Sequence, residues 1–331
     1  MSKRNKIEPA VLTLTLATPG TAAGTHYVDL SQIASLVNRR FYRQGINWAV
    51  AGFKFSSTRA GKVNVYKLPN TWVMSNAWEK SFRAWQQMNN EALAEAESIR
   101  PRFLDFKIYA DANHHTAGYG ANLLPVDSAG NPVAAGEWSP SKAVIPVAAG
   151  AVEGAIQERE FIAVGPNYPG IGASGLNAIS LIQGYANSRG LPYQEDPNVP
   201  DDAADADNNT PENWMSALFN DGSAQTDEVL DTMTTENNQA PYPFENDGLN
   251  VVTMYPGGAN QMPALEWHDI VQLYSSAATP QIGIQHGKGG TFPCGLLAIN
   301  WTPEEAANLV IQIDLMPGNH RGYLCEPMTE M

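Results

Sequence analysis

Short runs of strand-forming residues, each cut off by Gly, Pro or Asn, recur along this chain and limit what it can become. They fall at residues 11–16, 47–56, 62–68, 103–110, 143–147 and 160–164, and resume at 250–255, 267–275, 291–300 and 308–316. The last is the clearest. Leu309, Ile311, Ile313 and Leu315 alternate with Val310, Gln312 and Asp314, the period of two that buries one face of a strand. Roughly ten such runs with irregular connections specify a β-sandwich or Greek-key barrel. The 28 Gly and 23 Pro, without a fixed period, supply the turns such a fold needs. Thr302, Pro303, Glu304 and Glu305 predict one capped helical turn before the last strand.

One convincing helix, over 76–100, interrupts this pattern. Asn76 is its expected cap, Glu79 and Arg83 pair at i, i+4, and Trp78, Phe82, Trp85 and Met88 make one apolar stripe. The stripe is expected to dock within its own chain, on the end or flank of a barrel. A weaker helix is predicted over 180–187. The segment 192–247, rich in Asp, Asn and Pro, reads as an acidic loop insertion directed outward. The whole is one domain, 1–331, carrying these two insertions.

Charge is sorted along the chain. Residues 1–107 hold 15 Lys and Arg against 7 Asp and Glu, and residues 108–331 hold 5 against 27. Phosphate binding is largely Coulombic and needs its cations gathered, so the first third is the part suited to a polyanion. Its densest cluster is Arg39, Arg40 and Arg43, interleaved with Phe41 and Tyr42. A guanidinium fork binds phosphate bidentately and an adjacent ring stacks on an unpaired base. Lys54, Arg59 and Lys62 follow within the same basic third. A solvated helix end or sheet edge is the plain alternative for the arginines.

Other chemistry is poorly supported. His114 and His115 lack a third ligand at metal-binding spacing and read as a solvated loop pair. Cys294 and Cys325 sit in no CxxC pattern or nucleophile motif and read as small buried side chains of a reduced protein. Asp205, Asp207 and Asn209 begin like a calcium loop, but Thr210 stands where Gly is needed and Ser216 where Glu is needed. No cofactor is expected, with calcium between acidic loops the only ion considered. Glycine-rich 165–175 and 283–290 fit no phosphate loop and read as turns. Lys3, Arg4 and Lys6 precede an apolar stretch, but Glu8 and Pro9 interrupt it, so neither a signal peptide nor a membrane span is expected.

Residues 39–68, 69–83, 102–111 and 320–331, in that order and spacing, resemble the capsid proteins of environmental, mostly marine, circular Rep-encoding single-stranded DNA viruses. The resemblance implies a single jelly roll, an eight-stranded antiparallel sandwich of two Greek keys, here with an inserted helix and long loops. It implies a structural protein without catalytic activity, located in the virion. Its partners would be copies of itself in an icosahedral shell, the single-stranded DNA genome and a host receptor of unspecified identity. Circovirus-like capsids carry a long arginine-rich N-terminal arm, where this chain has Lys3, Arg4 and Lys6. DNA contact is therefore expected from Arg39, Arg40, Arg43, Lys54, Arg59 and Lys62. The rival reading is a carbohydrate-binding β-sandwich of lectin or adhesin type, with calcium as an optional ligand.

Overall fold

The computed structural model describes residues 8–20, 23–92, 105–146, 156–189, 214–217, 264–274 and 283–329. The chain order is β1 (Thr13–Ala17), β2 (Gly24–Asp29), α1 (Leu30–Val37), β3 (Ile46–Ser57), β4 (Gly61–Lys67), α2 (Trp72–Ala92) and α3 (Ala112–Ala117). Next come β5 (Lys142–Pro146), β6 (Ile156–Ile162), β7 (Asn177–Ser180), α4 (Leu181–Arg189) and α5 (Trp214–Ala217). The chain ends with β8 (Glu266–Leu273), β9 (Gly283–Phe292), β10 (Leu296–Pro303), β11 (Leu309–Leu315), β12 (Pro317–Gly318), β13 (Gly322–Tyr323) and β14 (Cys325–Pro327). Contacts divide these into two compact units: Met1–Asn70 with Tyr119–Ser139 and Leu265–Glu330, and Thr71–Gly118 with Pro140–Ala264.

The protein is mainly β, as its sequence pattern requires. In the first unit the ladders are antiparallel and make two sheets, with strand orders β1-β11-β3-β9 and β2-β10-β4-β8; β14 also joins β3. Alternate residues of both sheets meet in one core. Leu14, Phe53, Phe55, Ile311 and Ile313 come from the first sheet, and Val63, Val65, Leu297, Ile299 and Trp301 from the second. A buried aromatic of this size costs about 3–5 kcal/mol to truncate to Ala, so two sheets sharing such residues hold each other in register.

Several local expectations need correction. Pro303 continues β10 opposite Gly61, and 304–306 bend without a helical turn. Residues 283–290 are strand rather than turn: a Cβ at Gly289 would lie 2.2 Å from the Ala51 carbonyl oxygen and one at Gly287 2.9 Å from the Phe55 ring. These glycines permit close approach of backbone to neighbours. Helix α1, capped by Asp29, stands where no helix was predicted.

In the second unit β5, β6 and β7 form a three-stranded sheet, antiparallel between β5 and β6 and parallel between β6 and β7. Helix α2 begins earlier than predicted. Thr71, not Asn76, receives its first turn, accepting the Met74 N–H at 3.3 Å. Its stripe docks within the chain, but on this unit's own aromatic cluster rather than on a barrel. Phe106 lies between Trp85 (5.2 Å between ring centroids) and Phe161 of β6 (5.0 Å), with Trp78 at 6.1 Å. The predicted helical extension 93–100, the acidic segment 192–213 and 218–247 and the strand at 250–255 lie outside the described residues.

Candidate nucleic-acid interface

Residues 38–45 link α1 to β3, and the buried side chain of Tyr42 fixes the first part of this link. Tyr42 is 1 % exposed and rests edge-on against Tyr323 at 5.3 Å and tilted on Trp48 at 5.8 Å. Its N–H donates to Ser35 Oγ at 2.8 Å and its hydroxyl to the Arg321 carbonyl at 2.8 Å. With Tyr42 anchored, the residues on either side turn outward: Phe41 and Arg43 are exposed, as is Arg39. Asn38 bonds the turn to the N-terminal segment, its Oδ1 accepting from Val11 N at 3.0 Å while its Nδ2 donates to Tyr323 Oη at 2.8 Å.

A fourth arginine joins from the far end of the sequence. Arg321, held at φ 52°, donates from Nη1 to the Phe41 carbonyl at 2.5 Å. Phe41 thus lies among Arg39, Arg43 and Arg321, its ring tilted against Trp138 at 5.8 Å. Arg40 is neutralised by an ion pair with Glu8. A groove of about 520 Å³ opens beside Val11, Val37, Arg39 and Arg40. Burial pushes the Tyr42 hydroxyl pKa up, against the opposing pull of Arg40 and Arg321. Burial likewise holds Tyr323 up at about 12, so both phenols stay neutral hydrogen-bonding anchors at physiological pH.

The six candidate cations do not form one surface. Arg39, Arg40 and Arg43 share this corner. Lys54 points away from the core on β3, opposite Gln312 and His286. Lys62 points away from it on β4, in the other sheet, opposite Thr302 and Gln272. Arg59 sits in the β3–β4 turn, paired with Glu305 at 3.0 Å. Arg321 and Trp138 were missed because only tertiary folding brings them to Phe41; Arg321 is a lone cation in an acidic stretch, which was the sole signal.

Other titratable groups have structural surroundings. His114 and His115 are both fully buried on α3 rather than solvated: Ala110 N donates to His114 Nδ1 at 3.0 Å, and His115 Nε2 lies 2.9 Å from Glu160, itself fully buried. Tyr109 packs against both rings, which explains their burial. Burial raises both thiol pKa values, Cys325 to about 12, so each remains protonated at neutral pH. Among the described residues no cluster of three or more His, Cys, Asp or Glu is placed to hold a metal ion. No helix among them is long and apolar enough to cross a membrane.

Fold and site together define a mainly β protein whose first unit is built of antiparallel sheets and carries an arginine-rich corner. No family model, curated protein or solved structure matches the chain.

Proposed function

We propose that this protein is a viral capsid subunit, a single jelly roll that self-assembles into an icosahedral shell around circular single-stranded DNA and has no catalytic role. The observation that carries this reading is strand order. Taking the eight long strands of the first unit in chain order, the first, eighth, third and sixth form one sheet and the second, seventh, fourth and fifth form the other. That interleaving is what two Greek keys folded over one core produce. The resemblance of residues 39–68, 69–83, 102–111 and 320–331 to capsid proteins supports the same role.

The corner of Arg39, Arg43 and Arg321 around Phe41 is the genome contact in this reading, with Lys54 and Lys62 acting elsewhere. Electron microscopy of the purified recombinant chain tests the proposal. Closed shells of uniform diameter are expected. Monomers or small oligomers under all assembly conditions, with saturable binding of a neutral oligosaccharide, would overturn it in favour of a carbohydrate-binding sandwich. Within shells, replacing Arg39, Arg43 and Arg321 by Gln should reduce encapsidated nucleic acid while particles still form, because close-packed subunit contacts rather than these charges hold the shell.

A further inference from the structure

The second sheet carries an exposed aromatic pair that a local irregularity puts there. Along β8, Val271 and Leu273 are buried in the core, and continued alternation would turn Asp269 and Trp267 inward as well. Asp269 obeys. The register then shifts between Val65 and Tyr66, so that Trp267 pairs directly with Tyr66 on the outer face. His268 is the residue turned inward, its ring 4.9 Å from Phe292 and 6.3 Å from Phe53. The bulge therefore turns an imidazole rather than an indole toward Phe53 and Phe292, at the margin of the core, and leaves Trp267 53 % exposed. Bulges are frequent on edge strands such as β8 and beside functional sites, where they re-aim a side chain, and this one forgoes the stability that a buried Trp would contribute.

The neighbours of Trp267 suit one chemistry. Its ring lies 5.8 Å from that of Tyr66, and the Lys62 ammonium stands 5.8 Å above it. Ile270 is 51 % exposed beside them, and Asn64 and Asn300 bring amide groups within 3.5 Å of each other on the same face. In a chain with 34 Asp and Glu, β4 and β10 carry none. The two on β8 are engaged: Asp269 accepts from Lys288 N, and Glu266 lies 3.8 Å from Lys67. A stackable ring pair, a cation and a face cleared of free carboxylates are what an unpaired base and its phosphate require. A neutral sugar gains nothing from the cation or from the missing carboxylates. Two half-exposed apolar side chains also fall far short of the roughly 800 Å² per partner that a stable protein interface buries.

We propose that the outer face of the β2-β10-β4-β8 sheet is a stacking platform for unpaired bases of single-stranded DNA. Trp267 and Tyr66 take the bases and Lys62 a phosphate, while Asn64 and Asn300, bonded to each other and to Thr25 and Thr302, keep the face polar and uncharged. The choice of DNA rests on the capsid reading; the stacking chemistry does not. The test uses unassembled full-length protein and an oligodeoxythymidine of roughly 20 nucleotides, long enough to cover such a face. Binding should quench tryptophan fluorescence and exceed binding of a duplex of equal length. Trp267→Ala should weaken it by about tenfold or more, while Trp267→Phe retains most of it. Lys62→Gln should lower the salt dependence by about one phosphate contact. Unchanged affinity in Trp267→Ala, equal affinity for duplex, or no binding by the wild-type chain overturns the proposal. Electron microscopy of the same variants separates the two readings. Shells whose Trp267→Ala subunits bind DNA normally overturn this face alone, whereas stacking-dependent binding without shells overturns the capsid reading and upholds the face.

Discussion

Asp269 on β8 accepts the backbone N–H of Lys288 on β9 at 2.8 Å, and the adjacent His268 meets the carbonyl of that same residue through Nε2 at 3.0 Å. β8 is the edge of one sheet and β9 of the other, so two side chains occupy backbone groups that a further strand would otherwise use. Unpaired edges of this kind template pairing between chains, and capping them is a recognised protection. Asp269→Ala should cost about 1 kcal/mol, since the bond is partly exposed, but should raise the tendency to aggregate well beyond that loss. Light scattering at equal folded fraction checks it; unchanged aggregation would show that the cap protects nothing.

Asp29 gives the first unit a pH response. Burial pushes its carboxyl up to about 6, although Ser31 N, Gln32 N, Gln44 Nε2 and Trp138 Nε1 all donate to it and partly offset the rise. The folded state then binds the proton more tightly than the unfolded chain, so stability is full below about 4 and falls as pH climbs to about 6, by on the order of 3 kcal/mol. His26, lowered by burial, contributes in the opposite sense, its stability present above 6.5 and lost on acidification. Asp29→Asn should remove the fall between pH 4 and 6 in urea titrations. Asp29→Ala should lower stability at every pH, because four donors lose their acceptor. A slope that survives in Asp29→Asn would assign it to another group.

Trp85 is 5 % exposed in the second unit and packs on Phe106. Trp85→Ala should therefore cost about 3–5 kcal/mol in the unfolding of unassembled protein. Hydrogen exchange should show the loss over α2, β5 and β6. Normal stability of the unassembled chain combined with failed assembly would show that the stripe serves contacts between subunits.

The period of two at Leu309–Leu315 and the aromatic spacing of α2 were legible because each side chain's fate follows from its own neighbours in sequence. β9 was not legible. Its glycines are selected by Phe53, Phe55 and Ala51, residues that no local pattern connects to it. α1 carried a readable signal, Asp29 followed by Leu30, Ile33, Ala34 and Val37, but it is short and lies among strand-like runs. Of the candidate site, the arginine cluster could be found from composition alone. Its convergence on Arg321 could not, nor could the turning of Trp267 to the surface, which depends on a shift of register between two strands about 200 residues apart.

The strand order also sets a timetable. In both sheets of the first unit the early strands wait for late ones: β1 and β3 both await β11 at Leu309–Leu315, β2 and β4 await β10 at Leu296–Pro303, and β4 and β8, which do pair as successive strands of the unit, have residues 68–265 between them. A chain emerging vectorially from the ribosome can close neither sheet until nearly all of it has been made. Loop closure over such separations is slow rather than prohibitive, since its entropy grows only with the logarithm of length. During synthesis β1 to β4 stand with open edges and apolar faces, exposed to chaperones and to other nascent chains. Yield in a heterologous host should therefore depend on translation rate and temperature more than on the final stability of the fold.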